Sequence, residues 1–277
     1  MDKKIDIERL IAPEIIEQAK REIAEGRLIS LKSDVGFKLF MAGKTPESKY
    51  CLKKFLTAVT RREVIDAQVT NSEIYPDFLS AKEARLDVNC VFNDRNHANL
   101  EMQVVRREYD QVRRSLFYAS KLMASTLRSG ESYNEIGEVH QVFIFDFTVI
   151  RDEDFYHRFI FRDEDGRPLS ENMQIHFIEL RKLKAGDDLE NLSDMEFWSI
   201  IFREFDRKDT RERFAGLKRY AEEVRMTNAN SMNISQDYID YSIAISREKF
   251  IRDNESDVIE ATRKGFAQAT ARLQPLI

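Results

Sequence analysis

Two carboxylates and an amide at matched positions are the residues of this chain best placed to do chemistry. They are Asp87, in Leu86-Asp87-Val88-Asn89-Cys90-Val91-Phe92, and Glu101 with Gln103, in Asn99-Leu100-Glu101-Met102-Gln103-Val104. In the first run Leu86, Val88, Cys90 and Phe92 alternate with Arg85, Asp87, Asn89 and Val91, and in the second Leu100, Met102 and Val104 alternate with Asn99, Glu101 and Gln103. A period of two marks half-buried strands. A three-residue loop at Asn93-Asp94-Arg95 would pair Leu86 with Met102 and Val88 with Leu100, setting Asp87 opposite Glu101 on the other, exposed face. Carboxylates that close repel unless a cation lies between them, so the hairpin is a candidate hard-metal site with oxygen ligands, the kind Mg²⁺ accepts. The plain alternative is a hairpin whose acidic face is solvated.

The elements that must position these residues follow from periodicity. Residues 6 to 25 have the pattern of an amphipathic helix ending at Gly26, and Lys49 to Val59 form a second helix after the Thr45-Pro46 start signal. Glu63 to Thr70 offers a first strand and the acidic hairpin the next two. Tyr109, Val112, Leu116, Met123 and Leu127 then make a helical stripe expected to face the core, ending before Gly130. Val142 to Ile150 is the most apolar run and reads as a central strand buried on both faces, reached by a crossover. Phe155 to Phe161 and Gln174 to Leu180 give a second hairpin across the turn-rich Asp163 to Pro168. The order helix, three strands, helix, strand describes an α/β layer fold with a mixed sheet. After about Gly186 the patterns are helical: Ser193 with Glu196 is a capping box, and further helices are expected over 210 to 226, 235 to 252 and 255 to 272, with breaks at Gly216, Asn228 to Asn233 and Asp253-Asn254.

Several of these segments together resemble the recombination-promoting nuclease and transposase family, a bacterial branch of the PD-(D/E)XK nuclease superfamily. The resemblance lies in the order of Ser33-Asp34-Val35-Gly36-Phe37-Lys38-Leu39-Phe40, Arg85-Leu86-Asp87-Val88, Asn99-Leu100-Glu101-Met102-Gln103, Arg113-Arg114-Ser115-Leu116-Phe117-Tyr118-Ala119-Ser120-Lys121, Gly130-Glu131-Ser132-Tyr133 and an apolar strand through Phe147. It covers about residues 30 to 150. It implies a restriction-endonuclease-like core over 1–185, a helical extension over 186–277, and a Mg²⁺-dependent DNA endonuclease, with Mn²⁺ as an alternative metal. Asp87 and Glu101 would hold the metal, with the backbone carbonyl of Met102 as a further ligand. Gln103 stands where the superfamily usually has Lys; it can orient a water but carries no useful proton or charge. The acidic residue that the superfamily places on its first core helix is Asp34 or Glu47. Asp34 is favoured because it lies inside the motif, and its structural alternative is a helix N-cap. A rival reading keeps the nuclease fold as a catalytically inactive DNA- or partner-binding protein.

Composition sets limits. A formal charge of −5 and a pI near 5.6 exclude a protein that coats nucleic acid, so DNA contacts must be local. The best local patch is Arg106, Arg107, Arg113 and Arg114, with Lys121 and Arg128, set against Glu108 and Asp110. No apolar run is long enough to cross a bilayer, Met1 to Asp6 does not lead into the apolar stretch of a signal peptide, and a cytoplasmic protein is expected. Cys51 and Cys90 stand apart and are expected to be buried thiols, and the four histidines lack ligand spacing. The carboxy-terminal helices could pack on the core, join copies into a homo-oligomer or hold a partner.

Overall fold

The computed structural model describes residues 21, 24–70, 88–106, 110–127, 129–184 and 189–236. Helix α1 (Asp34–Ala42) starts under Ser33, whose Oγ accepts the Gly36 N–H at 3.0 Å. Gly36 is required by close approach, since a Cβ there would collide with the Ser30 carbonyl oxygen. Helix α2 (Pro46–Thr60) has Thr45 as its cap and Pro46 in its first turn, and it ends at Arg61 in the left-handed conformation.

Six strands follow: β1 (Ala67–Val69), β2 (Val88–Phe92), β3 (Asn96–Gln103), β4 (Val139–Phe145), β5 (Tyr156–Arg162) and β6 (Pro168–Glu179), in the sheet order β1-β2-β3-β4-β6-β5. The sheet is mixed. β1, β2 and β3 are antiparallel, β3, β4 and β6 run parallel, and β5 returns antiparallel at the edge. The β2–β3 register pairs Val88 with Leu100 and Phe92 with Asn96, as the alternation predicts. Asn93 and Asp94 turn the chain at φ 43° and 72°, a conformation that Asn and Asp tolerate. Helix α3 (Gln111–Ser125) is the crossover between β3 and β4.

All seven residues of β4 are buried, because apolar clusters cover the sheet on both faces. On one face Val142, Ile144 and Ile178 join α1, α2, α4 (Asp194–Glu204) and α5 (Lys208–Phe214). Edge-on aromatic contacts of Phe55 with Trp198 and of both Phe37 and Phe55 with Phe202 lock those helices together. On the other face Phe143, Phe145 and Phe177 pack with Ala119 of α3. The capping box at Ser193 and Glu196 is present, and Cys51 and Cys90 are buried free thiols that burial pushes up to about 12.

Three expectations need correction. The stripe on α3 is inverted: Gln111, Ser115 and Ala119 are buried while Val112 and Leu116 are exposed. The reason is what lies beneath the helix: the rings of Phe143, Phe145 and Phe177 on β4 and β6 fill the space and leave room on the inner face of α3 for small residues such as Ala119. The apolar run from Val142, expected to be one strand to Ile150, leaves the sheet after Phe145, because the Val149 and Ile150 N–H groups donate to the Glu179 carboxylate instead. Residues 228 to 233 continue a helix over 221–236 and do not break it. Asn230 and Ser231 are buried, and Asn230 donates through Nδ2 to the Phe40 carbonyl at 3.0 Å, completing the carboxy-terminal end of α1.

One compact unit is Arg27–Ile234, with α4 and α5 contributing to its core. The other unit, Met1–Gly26 with Ser235–Ile277, lies almost wholly outside the described residues, as do most of the helix expected over 6 to 25 and the helices expected over 235 to 252 and 255 to 272.

No spacing in the sequence signals that two of the histidines form a buried relay. The Tyr156 hydroxyl lies 2.9 Å from His176 Nδ1, His176 Nε2 lies 3.1 Å from His140 Nδ1, and His140 Nε2 lies 3.2 Å from the Glu138 carboxylate, which also pairs with Arg62. Glu138 can only accept, so His140 donates to it through Nε2–H, and the contacts run on from His140 to His176 and the Tyr156 hydroxyl. Burial, with the positive charges of Arg158 and Arg61, holds His176 well below the usual histidine range. An unfolded chain therefore takes up a proton here below pH 6.5 that the folded chain refuses, so stability is lost as pH falls below that value. Denaturant melts should show a slope of up to about 1.4 kcal/mol per pH unit from this group between roughly pH 6.5 and 5, and His176→Gln should flatten it. An unchanged slope in the variant would contradict the refusal of a proton at His176.

Candidate active site

Strand β3 presents Asn99, Glu101 and Gln103 on one face, next to Gln141, Phe143 and Phe145 of β4. Asn99 and Glu101 are buried, so the acidic face is covered and not exposed as the alternation alone suggested. α3 lies over the neighbouring strands β4 and β6, with Ala119 against their aromatic rings, and reaches Glu101 through Arg114. Asp110 caps the helix through Oδ1, accepting the N–H groups of Val112 and Arg113.

Glu101 is held from two directions. Gln103 Nε2 donates to Glu101 Oε1 at 2.6 Å, and the Arg114 guanidinium donates to the same oxygen. Arg114 is fixed in turn between the Tyr118 ring, 4.8 Å from its centre, and the Phe143 ring, 5.6 Å away. With its Nε2–H committed to Glu101, Gln103 is left with Oε1 as a buried acceptor that has no hydrogen-bond partner among the described residues. Asn99 Nδ2 donates to Gln141 Oε1 at 3.1 Å, extending a polar layer along the strand. Just past β4, the Asp146 N–H donates to the Gln103 carbonyl at 2.9 Å, and its carboxylate pairs with Lys32 and Arg181.

The structure therefore brings Glu101 and Gln103 together, while Met102 points into the opposite core with its backbone paired to Ile144. Asp87, Arg107 and Arg128 lie outside the described residues. Asp34 begins α1, where Ser33 and not Asp34 is the cap; the Asp34 side chain is outside the described residues. Arg106 and Arg113 are exposed, and Arg113 makes a loose 3.5 Å pair with Asp110. Arg114, grouped with them by sequence, faces inward onto Glu101. Two features carried no sequence signal: the inward turn of Arg114 and the burial of Lys38 on α1.

A profile described as PD-(D/E)XK nuclease family transposase matches residues 31–261. The chain belongs to that family. Neither a curated protein nor a solved structure matches it. The mixed sheet with its crossover helix is the α/β core of the PD-(D/E)XK family, and the family's activity is that of a nuclease. Nucleases of this kind use divalent metal ions, and the Glu101 carboxylate is a hard oxygen donor of the kind such an ion takes.

Asp152, Asp154 and His157 also bring ligand atoms within 4.8 Å of one another. A cation already serves that group, since Lys182 Nζ lies 2.8 Å from Asp152, 2.9 Å from Glu179 and 3.1 Å from the Asp154 carbonyl. A cavity of about 620 Å³ among Arg61, Arg62, Tyr156 and Asp194 includes none of the β3 residues.

The approach of α3 to the sheet depends on small side chains, and this can be tested. Ala119→Leu should overpack the Phe143–Phe145 cluster and cost about 1–3 kcal/mol of unfolding free energy, whereas the exposed neighbour Ser120→Leu should cost less than about 0.5 kcal/mol. Equal effects in urea titrations would refute close packing at position 119.

Proposed function

We propose that this protein is a Mg²⁺-dependent DNA endonuclease, with Mn²⁺ able to replace Mg²⁺, that hydrolyses phosphodiester bonds at the Glu101–Gln103 end of β3. The observation that carries the reading is the meeting of the Glu101 carboxylate and the Gln103 amide at 2.6 Å, inside the span matched by the nuclease family. Glu101 and Asp87 hold the cation, with the Met102 carbonyl as a further oxygen and Asp34 as the acidic residue of the first core helix. When bound, the cation acidifies water and offsets the charge gathering on the phosphate oxygens. Gln103, its Nε2–H kept on Glu101, uses Oε1 to accept a hydrogen bond from the attacking water and orient it; an amide takes no proton. Arg114 keeps the Glu101 carboxylate in place. Arg106, Arg107 and Arg113 meet the DNA backbone, where each phosphate contact adds affinity without reading sequence.

Nicking of plasmid DNA by the purified protein, with and without chelator, tests the reading. Gln103→Ala should lower the cleavage rate by roughly 10²–10⁴ with metal binding nearly intact. Asp87→Ala should lose activity further and regain part of it at high Mg²⁺ or with Mn²⁺. Cleavage in excess chelator, or full activity in both variants, would sink the mechanism. Among the arginines, Arg113→Ala should reduce the salt slope of DNA binding by about one unit, and an unchanged slope would remove Arg113 from the DNA path.

One observation favours a second reading. Arg114 already supplies Glu101 with a positive charge, which suits a nuclease fold retained as an inactive DNA- or partner-binding protein. DNA binding without cleavage in either metal would select it.

A further inference from the structure

Helix α3 turns its large apolar side chains outward. Val112 is 43% exposed, Leu116 46% and Phe117 66%, and Val105, ahead of the helix, is 72% exposed. Contiguous apolar surface of this kind marks a site of interaction. The same face carries Arg113, Phe117 and Lys121 at successive four-residue steps, so a benzyl ring stands between two cations along one stripe. The nearby acid Asp110 caps the helix through Oδ1 and makes a loose 3.5 Å pair with the exposed Arg113 through Oδ2.

The charges choose the occupant. A second copy of this chain docked face to face would set Arg113 and Lys121 against their own equivalents, positive on positive. A nucleic-acid strand satisfies every group, with phosphates at the cations and a base on the ring, the combination by which proteins hold single strands. In a duplex the bases are stacked on one another and offer no face to Phe117.

We propose that the outer face of α3 is a nucleobase-stacking site, and that the DNA this protein takes contains unpaired bases. The inference rests on the DNA-nuclease reading of the Glu101 site and adds its substrate class.

Fluorescence anisotropy of the full-length protein with a labelled oligothymidine strand, and with a blunt duplex of equal length, tests it. Chelator is present so that neither is cut. The parent protein should bind the strand more tightly than the duplex. Phe117→Ala should weaken strand binding roughly 5- to 100-fold, the loss of one base stack, while duplex binding changes less than about twofold. Phe117→Trp, which keeps an aromatic face, should bind the strand as the parent does. The proposal is overturned if Phe117→Ala binds the strand like the parent, or if strand and duplex weaken equally. It is also overturned if sedimentation shows a parent dimer that Phe117→Ala dissociates, since the face would then join two copies. Failure of the nuclease reading is a separate result: strand binding that depends on Phe117 but brings no cleavage when metal is restored supports the stacking site and removes the catalytic assignment.

Discussion

The ion pair between Arg114 and Glu101 ties the crossover helix to the strand that carries the candidate site. A carboxylate buried beneath a helix is costly unless a cation and hydrogen bonds compensate it. Glu101 has both, from Arg114 and Gln103. The demand propagates outward. Arg114 reaches Glu101 only if α3 lies close to the sheet, which requires Ser115 and Ala119 on the inner face, and its guanidinium is flanked by Tyr118 and Phe143. The large apolar residues of α3, displaced from the inner face, are left on the outer one.

The two faces of the sheet divide the work. Beneath α1, α2, α4 and α5 lies a large aromatic and aliphatic core that includes Trp198 with Phe37, Phe40, Phe55 and Phe202. Polar groups enter the fold there as a hydrogen-bonded chain from Tyr156 through His176 and His140 to Glu138. Beneath α3 the apolar cluster is small and sits beside a polar row. Among the described residues, buried polar atoms without partners, such as Gln103 Oε1 and both amide atoms of Gln111, are concentrated on this second side. Unmet hydrogen-bonding capacity next to a buried carboxylate is what a site for water, metal and phosphate requires.

Much of this was legible in the sequence where a local rule and the tertiary environment agree. Alternation in β2 and β3 predicts the pairing of Val88 with Leu100 because one face of that hairpin meets an apolar core. The capping box at Ser193 and the cap at Thr45 are local hydrogen bonds, readable from spacing alone. The errors arise where the environment reverses the rule. The period of α3 identifies its apolar face correctly, but period says nothing about which face is covered, and the large aromatic rings of β4 and β6 select the small residues instead. Asn228 to Asn233 resembles a helix break because Asn and Ser usually serve turns, yet Asn230 is consumed by the Phe40 carbonyl far along the chain. His140 and His176 are 36 residues apart and have no ligand spacing; only the parallel pairing of β4 with β6 joins them.

The dependence of the fold on Arg114 and Glu101 as a pair is best measured by a double-mutant cycle on unfolding free energy with Arg114→Met, Glu101→Gln and the double variant. Arg114→Met alone leaves a carboxylate buried without its cation and should cost on the order of 3 kcal/mol. The double variant removes the charge as well and should recover much of that loss, giving a coupling energy of at least about 1 kcal/mol. Additive effects, with the double variant as unstable as the sum of the single ones, would contradict the account.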